Sequence, residues 1–361
     1  MTNFDDFKLA VEALSGGKNT VRLDDLGMPS VLVAFPRLTY ADVISGGTNE
    51  TLPAFIVNGE IRNSILASKY LNIIVNDRAY SLPLKDPAIG MNFDRALTVC
   101  RNKGAGWHLN TNATWAAISL LCKKNDTMPR GNNSYGQDVL NPHQKGVATG
   151  HMADATRFGR TATGSGHVSW NHDHTDSGIS DLNGNVWEWC SGLRIVDGEI
   201  QVITENNATS HSCNMNATST EWRAILSDGR LVAPGTANTL KWDYTGAPAA
   251  NTAAIHLIAG NLANKQADES PYGAVNYGAM VAKSGVTVPM ILKGLGLFPS
   301  DASNSGYANN GHFWFRNLGE LLPIRGGTWN DAGRAGVFAL RLLNARSLVG
   351  THVGFRAALV E

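Results

Sequence analysis

Nine consecutive residues constrain this chain more than any other segment: Asp181-Leu182-Asn183-Gly184-Asn185-Val186-Trp187-Glu188-Trp189. Two tryptophans flanking a glutamate bring large apolar area, two indole donors and one carboxylate into three adjacent positions, a combination that calls for burial with every polar group satisfied. Gly184 permits a tight turn that aims backbone carbonyls to one side, and such a turn can hold a hard cation. The alternative is a turn held by hydrogen bonds alone, with Glu188 paired to a buried arginine.

The rest of the chain can supply the surroundings. With 361 residues and 43% hydrophobic content it can bury a sizeable core. The charged fraction of 17% and the 38 glycines favour a turn-rich, loop-rich fold. Thirty basic and thirty acidic residues cancel, so no basic stripe suggests nucleic acid and no polybasic segment suggests an anionic membrane. Met1 to Ala10 lacks a charged segment followed by an apolar one, and no apolar run is long enough for a membrane span. The expectation is synthesis in the cytoplasm without a signal peptide, which leaves the sequons at Asn207 and Asn216 without meaning. Cys100 follows Phe93, Ala96 and Leu97 at helical spacing, as Cys122 follows Trp115 and Ile118. Both read as small buried hydrophobes.

Periodicity gives a mixed order of elements. A short amphipathic stretch, Phe7 to Leu14, ends at Gly16-Gly17, and residues 1–28 read as an arm or attachment segment. Strand patterns follow at Val31 to Phe35, at Pro53 to Val57 before the turn Asn58-Gly59, and at Leu71 to Val75. Helices are expected from Phe93 to Lys103 behind an Asn92 cap and from Ala113 to Lys124. Residues 128–179 are rich in Gly, Asn, Ser and His without period and read as surface loop. Leu193 to Val196 and Ile200 to Ile203 flank Asp197-Gly198, a hairpin signal, and an irregular segment is expected from there to about Gly311. No repeat or low-complexity linker divides the chain, so residues 29–361 are expected to form one domain.

Three segments in order carry a resemblance. Gly104-Ala105-Gly106-Trp107-His108-Leu109 runs toward Trp115; the nine-residue turn segment follows; Ile324-Arg325-Gly326-Gly327-Thr328-Trp329 is closed by Val353-Gly354-Phe355-Arg356-Ala357-Ala358. Together they resemble the C-type-lectin-like fold of formylglycine-generating enzymes and of the variable proteins of diversity-generating retroelements. The resemblance implies an α+β, C-type-lectin-like fold with long irregular insertions. In the formylglycine-generating relatives the matching turn binds calcium, which would place ligands here at Asp181, Glu188 and the carbonyls of Gly184 and Val186. No other cofactor is implied.

The enzymatic branch of that family needs reactive cysteines between the Arg-Gly-Gly and Gly-Phe-Arg landmarks, and no cysteine follows Cys213. An alternative enzyme would use a metal held by His167, His172, His174 and Asp176, which read either as a chelating cluster or as a hydrogen-bonded scaffold for the Trp187 segment.

The segment from Thr328 to Ser347 resembles instead the variable region of retroelement-diversified proteins, where adenine-directed mutagenesis changes selected positions within a fixed framework. That resemblance places a variable region at about 312–358 and implies ligand-binding positions at Thr328, Asn330, Asp331, Arg334, Arg341, Leu343, Asn344, Leu348, Val349, Gly350 and His352, extended upstream by Trp314 and Leu318. Trp329, Val337, Phe338, Leu340 and Phe355 are expected to be buried framework, while Arg341, Leu343, Leu348 and His352, which lack a common period, are expected at the surface. The implied role is non-catalytic binding of a macromolecular receptor, a protein on a bacterial surface, by a phage or prophage protein, with a structural virion or surface protein as the other non-enzymatic reading.

Overall fold

Val31, Leu32, Val33 and Phe35 are buried in the strand Pro29–Pro36, which is bounded by prolines unable to donate to a ladder. In the computed structural model, which describes residues 3–246, 254–301 and 304–361, this strand pairs antiparallel with Asn19–Leu23 and with Ser64–Ser68. Two strands from far along the chain complete a five-stranded sheet: Ala357–Leu359 lies between Ser64–Ser68 and Trp107–Leu109. The two helices sit between strands in sequence as expected. Asn92 Oδ1 accepts from Arg95 N at 2.9 Å to start Phe93–Arg101, and Thr111 Oγ1 accepts from Thr114 N at 3.0 Å to start Asn112–Lys124.

The second sheet holds the site. Its main path runs Gly273–Asn276, His312–Phe315, Gly336–Asn344, Glu320–Gly326, Leu193–Val196 and Glu199–Ile203, continuing to Leu240–Tyr244 and Ile255–Ala259. The Trp187–Trp189 strand joins through Glu320–Gly326 and carries Val353–Phe355 in parallel. Trp115 ties the second helix to this sheet, since its Nε1 donates to the Val337 carbonyl at 2.7 Å. The result is a mixed α+β architecture, mostly sheet, and among the described residues no helix is long and apolar enough to cross a membrane.

Four expectations need correction. Pro53 to Val57 is not a strand throughout: Pro53–Phe55, with a proline at its first position, is a 3-10 turn, and only Ile56–Val57 pairs, with Glu60–Ile61. Residues 19–28 are not part of an arm: Asn19–Leu23 is the first strand of the five-stranded sheet and Val21 is wholly buried, because its apolar side packs on the same layer as Val31. Only the Asn3–Leu14 helix, which buries no residue, fits that description. The stretch from 204 to 311 is not irregular throughout, since Trp222–Ile225, Leu240–Tyr244, Ile255–Ala259 and Gly273–Asn276 are strands there. Residues 128–179 lack long strands, yet they are not merely surface. Asn132, Asn133, Asp138 and Thr161 are buried, and the side-chain amides of Asn132, Asn133 and Asn185 together with the Asp138 carboxylate accept from backbone that no ladder serves.

Candidate functional site

Strand alternation divides the candidate residues. His312–Phe315 runs parallel to Gly336–Asn344 with Phe313 opposite Leu340, Trp314 opposite Arg341 and Phe315 opposite Leu342. Successive side chains point to opposite faces. Phe313, Phe315, Phe338, Leu340 and Leu342 join the large core, whereas Trp314, Ala339 and Leu343 pack with Trp187 and Leu348 on the other side. The Trp187 and Trp314 rings meet edge to face at 5.4 Å, and His312 lies 4.7 Å from Trp314.

Two loops border that outer side. In the first, Thr328 N donates to Asp331 Oδ2 at 2.9 Å and Thr328 Oγ1 donates to the Asn185 carbonyl at 3.3 Å, while Tyr135 N donates to the Trp329 carbonyl and Ala332 N to that of Asn133. Trp329 is flanked by His151 at 4.9 Å and His352 at 6.4 Å between ring centres. In the second, residues 345–352 return to the Val353–Phe355 strand, and the His352 carbonyl accepts from Trp187 N at 2.9 Å. Burial pushes the Asp331 carboxyl up, opposed by the Thr328 N–H, Arg334, Arg341 and the Trp187 indole. Burial, with Arg341 close by, pushes His352 down; His312 is pushed down to about 4 by burial, with Arg334 adding to it. Both imidazoles are therefore neutral at physiological pH, and the charged side chains on this face are Arg334, Arg341, Asp331 and Arg316, the last paired with Glu269 at 3.4 Å.

Beneath the face lie two buried arginines from the landmark segments. Arg356 donates from Nε and Nη2 to Glu188 at 3.0 and 2.9 Å, and to the carbonyls of Ser68 and Ser180. Arg325 has no such carboxylate; its Nε and Nη2 donate to Asn112 Oδ1 at 3.1 and 2.6 Å, and Nη2 also to the Gly296 carbonyl. Burial pushes it down to about 10, so it stays charged and is solvated by protein dipoles. The turn itself is set by close approach. Gly184 has φ +78°, and a Cβ there would stand 2.1 Å from the Asn132 carbonyl oxygen. Asn183 and Asn185 then clamp the insertion: Asn183 Nδ2 donates to the Pro129 carbonyl at 2.8 Å, and Asn185 exchanges hydrogen bonds with the backbone of Thr161.

The calcium expectation does not fit this geometry. Both Glu188 oxygens are taken by Arg356, and Asp181 accepts from Gly164 N at 2.8 Å while burial pushes its carboxyl up to about 6. A carboxylate with both oxygens already paired to a guanidinium is a poor ligand for a hard cation, which leaves Asp181 as the one carboxylate of the turn without a cationic partner. The loop histidines are likewise engaged separately. His172 Nδ1 accepts from Ile179 N at 2.8 Å and its ring meets Phe35 at 5.0 Å; His174 Nε2 contacts the Met128 carbonyl; His167 Nδ1 receives Ser169 N. Asp176 contributes its backbone carbonyl to Lys69. These roles are those of a scaffold.

No family model matches the chain, and no curated protein is similar to it. Among solved structures it is similar to Treponema denticola variable protein 1. That likeness has a TM-score of 0.36 and 11% identity, over 94% of this chain and 98% of the other. It fixes neither family nor function.

Twelve of the thirteen candidate positions separate into three groups. Asn330, Arg334 and Val349 are exposed; Asp331, Arg341, Leu348, Gly350 and His352 are half-buried around the Trp187–Trp314 pair; Trp314, Thr328, Leu343 and Asn344 are buried. Leu343 in particular is not a surface leucine, because alternation from Arg341 turns it under Leu348 and against Trp187. Leu318 stands apart, in the turn that Gly319 ties to Asp197. Missed altogether were Tyr135, His151 and Arg157 from the insertion. Arg157 stacks 3.6 Å over Tyr135 beside Trp329, and nothing periodic in residues 128–179 marks them.

Proposed function

We propose that this chain is a non-catalytic ligand-binding protein, a diversity-generating retroelement variable protein on a C-type-lectin-like scaffold. It would be phage or prophage encoded and directed at a receptor protein on a bacterial surface. One observation carries the reading: Arg341 lies on the outer side of a strand whose inner side is closed core, and the other exposed and half-buried positions, Leu318 apart, lie in the two loops that border that side. Asp331, Arg334, Arg341, Leu348, Val349 and His352 can therefore change while Phe338, Leu340 and Phe355 hold the backbone. The landmark arginines support it as well, since Arg325 and Arg356 are spent on internal bonds. The enzyme reading lacks supporting chemistry: all four cysteines are free and buried, burial pushes their thiols up, and the loop histidines are committed to backbone.

The test is genetic. Sequencing the 3′ coding region and its flank from many cells of one lineage should find a near-copy differing at adenines beside a reverse transcriptase gene, with codon changes at the outward positions. Changes spread evenly over Phe338, Leu340 and Phe355, or no such copy, would remove the diversified-display reading.

A further inference from the structure

Arg341 is out of keeping with the other arginines of the protein. Arg62, Arg101, Arg160 and Arg316 also carry a buried nitrogen without a partner, but each spends the rest of its guanidinium on Glu60, on the Ser210 and Cys213 carbonyls, on Asp86 or on Glu269. Arg341 has no such outlet. Its Nε–H is buried without a partner, and among the described residues the one carboxylate acting on it is Asp331, through space. A guanidinium N–H taken from water and left without an acceptor is costly, because its desolvation is not offset by a hydrogen bond.

The surroundings say what would complete it. Arg341 sits opposite Trp314 across the parallel ladder, near Tyr272, Arg316 and the His352 ring. With His352 and His312 held neutral by burial and Arg316 paired to Glu269, the region offers the unspent donors of Arg341 beside indole surface, and Arg334 and Arg341 outnumber Asp331. A fork of parallel N–H groups matches a carboxylate in bidentate geometry. We propose that Arg341 is the specificity-determining residue of this face and pairs with a carboxylate presented by the ligand, an acidic side chain of a protein receptor. This rests on reading the face as a ligand surface. It goes further in naming the chemistry this particular chain selects.

The experiment titrates full-length protein with sodium acetate against sodium chloride at equal ionic strength, reading the Tm and the Arg341 Nε–Hε resonance, assigned by its loss in R341M. Acetate should raise the Tm of the parent saturably and move that resonance. The Tm response should vanish in R341M, weaken in R341K, and persist in R334Q, which alters an exposed arginine nearby. In chloride alone, R341M should melt no lower than the parent, because a buried N–H without an acceptor has been removed. Equal responses to acetate and chloride in the parent, an undiminished response in R341M, or an R341M that melts lower in chloride would each overturn the proposal. The outcome is separable from the codon survey: acetate reads Arg341 alone, and the survey reads only where the coding sequence varies.

Discussion

Asp181→Asn tests both the electrostatics of the turn and its capacity for a cation. Asp181 is buried, accepts one backbone hydrogen bond from Gly164, and has its carboxyl pushed from 3.8 to about 6 chiefly by desolvation. A folded-state pKa above the unfolded one means that the folded protein binds the extra proton between those two values. Stability from this group is full below the unfolded value and is lost as pH rises through the folded one. At about 1.4 kcal/mol per unit, ionising the buried group costs roughly 3 kcal/mol at neutral pH. Asparagine keeps the acceptor for Gly164, tolerates the left-handed backbone at φ +64° and carries no charge. Urea denaturation of parent and variant at a series of pH values should show the variant gaining on the parent by roughly 3 kcal/mol between about pH 4 and pH 7. One buried amide hydrogen without a partner would lower the whole difference by about 1–2 kcal/mol without changing its slope. A difference that is flat with pH would refute the reasoning, since it would mean that Asp181 is ionised in the fold and compensated. If added calcium then raised the Tm of the parent and not of the variant, the compensating partner would be a cation.

Three further outcomes are expected. Glu188→Gln leaves Arg356 buried without its bidentate carboxylate and should cost about 3–5 kcal/mol by denaturant titration. Leu343→Ala should cost about 2 kcal/mol or more, as for a buried leucine, whereas Val349→Ala should stay within about 0.5 kcal/mol; equal melts would contradict the division of the face into support and contact. Lys103 is buried, donates to Ser30 Oγ at 2.6 Å and stands 3.4 Å over the Trp107 ring, and burial pushes it down to about 7. The unfolded chain then binds more protons between about pH 7 and its ordinary value near 10.5, so parent stability should rise with pH across that window relative to Lys103→Met.

Local signals were legible where a single residue decides the local structure. Asn92 and the polar residues before Ala113 start helices, Asp197-Gly198 makes the hairpin, and Gly184 is required by a carbonyl too close for any Cβ. The burial of Trp329, Phe338 and Phe355 also followed from residue type. What periodicity could not give was partnership across long separations. The side to which Leu343 turns depends on Trp314 lying opposite Arg341, a pairing set by tertiary register. The strands between Trp222 and Asn276 are short and separated by glycine-rich and polar turns, so their two-residue alternation is drowned in the surrounding sequence. The insertion was misjudged for another reason. Its interior is held by asparagine amides such as Asn132 and Asn185, and amide clamps leave no hydrophobic pattern to read.

The strand Ala357–Leu359 has a consequence for how variants are screened. It follows the loops of residues 328–335 and 345–352 in sequence yet lies inside the five-stranded sheet, hydrogen-bonded to Ser64–Ser68 on one side and Trp107–Leu109 on the other, with Arg356 pinned to Glu188 just before it. A frameshift or stop codon acquired between Thr328 and His352 would delete this strand and leave two long-separated segments with open edges, which favour aggregation over folding. Missense changes in the same loops leave it intact. Loss of the reading frame in those loops would therefore be felt as loss of the fold, whereas in-frame substitutions there would be felt only at the surface.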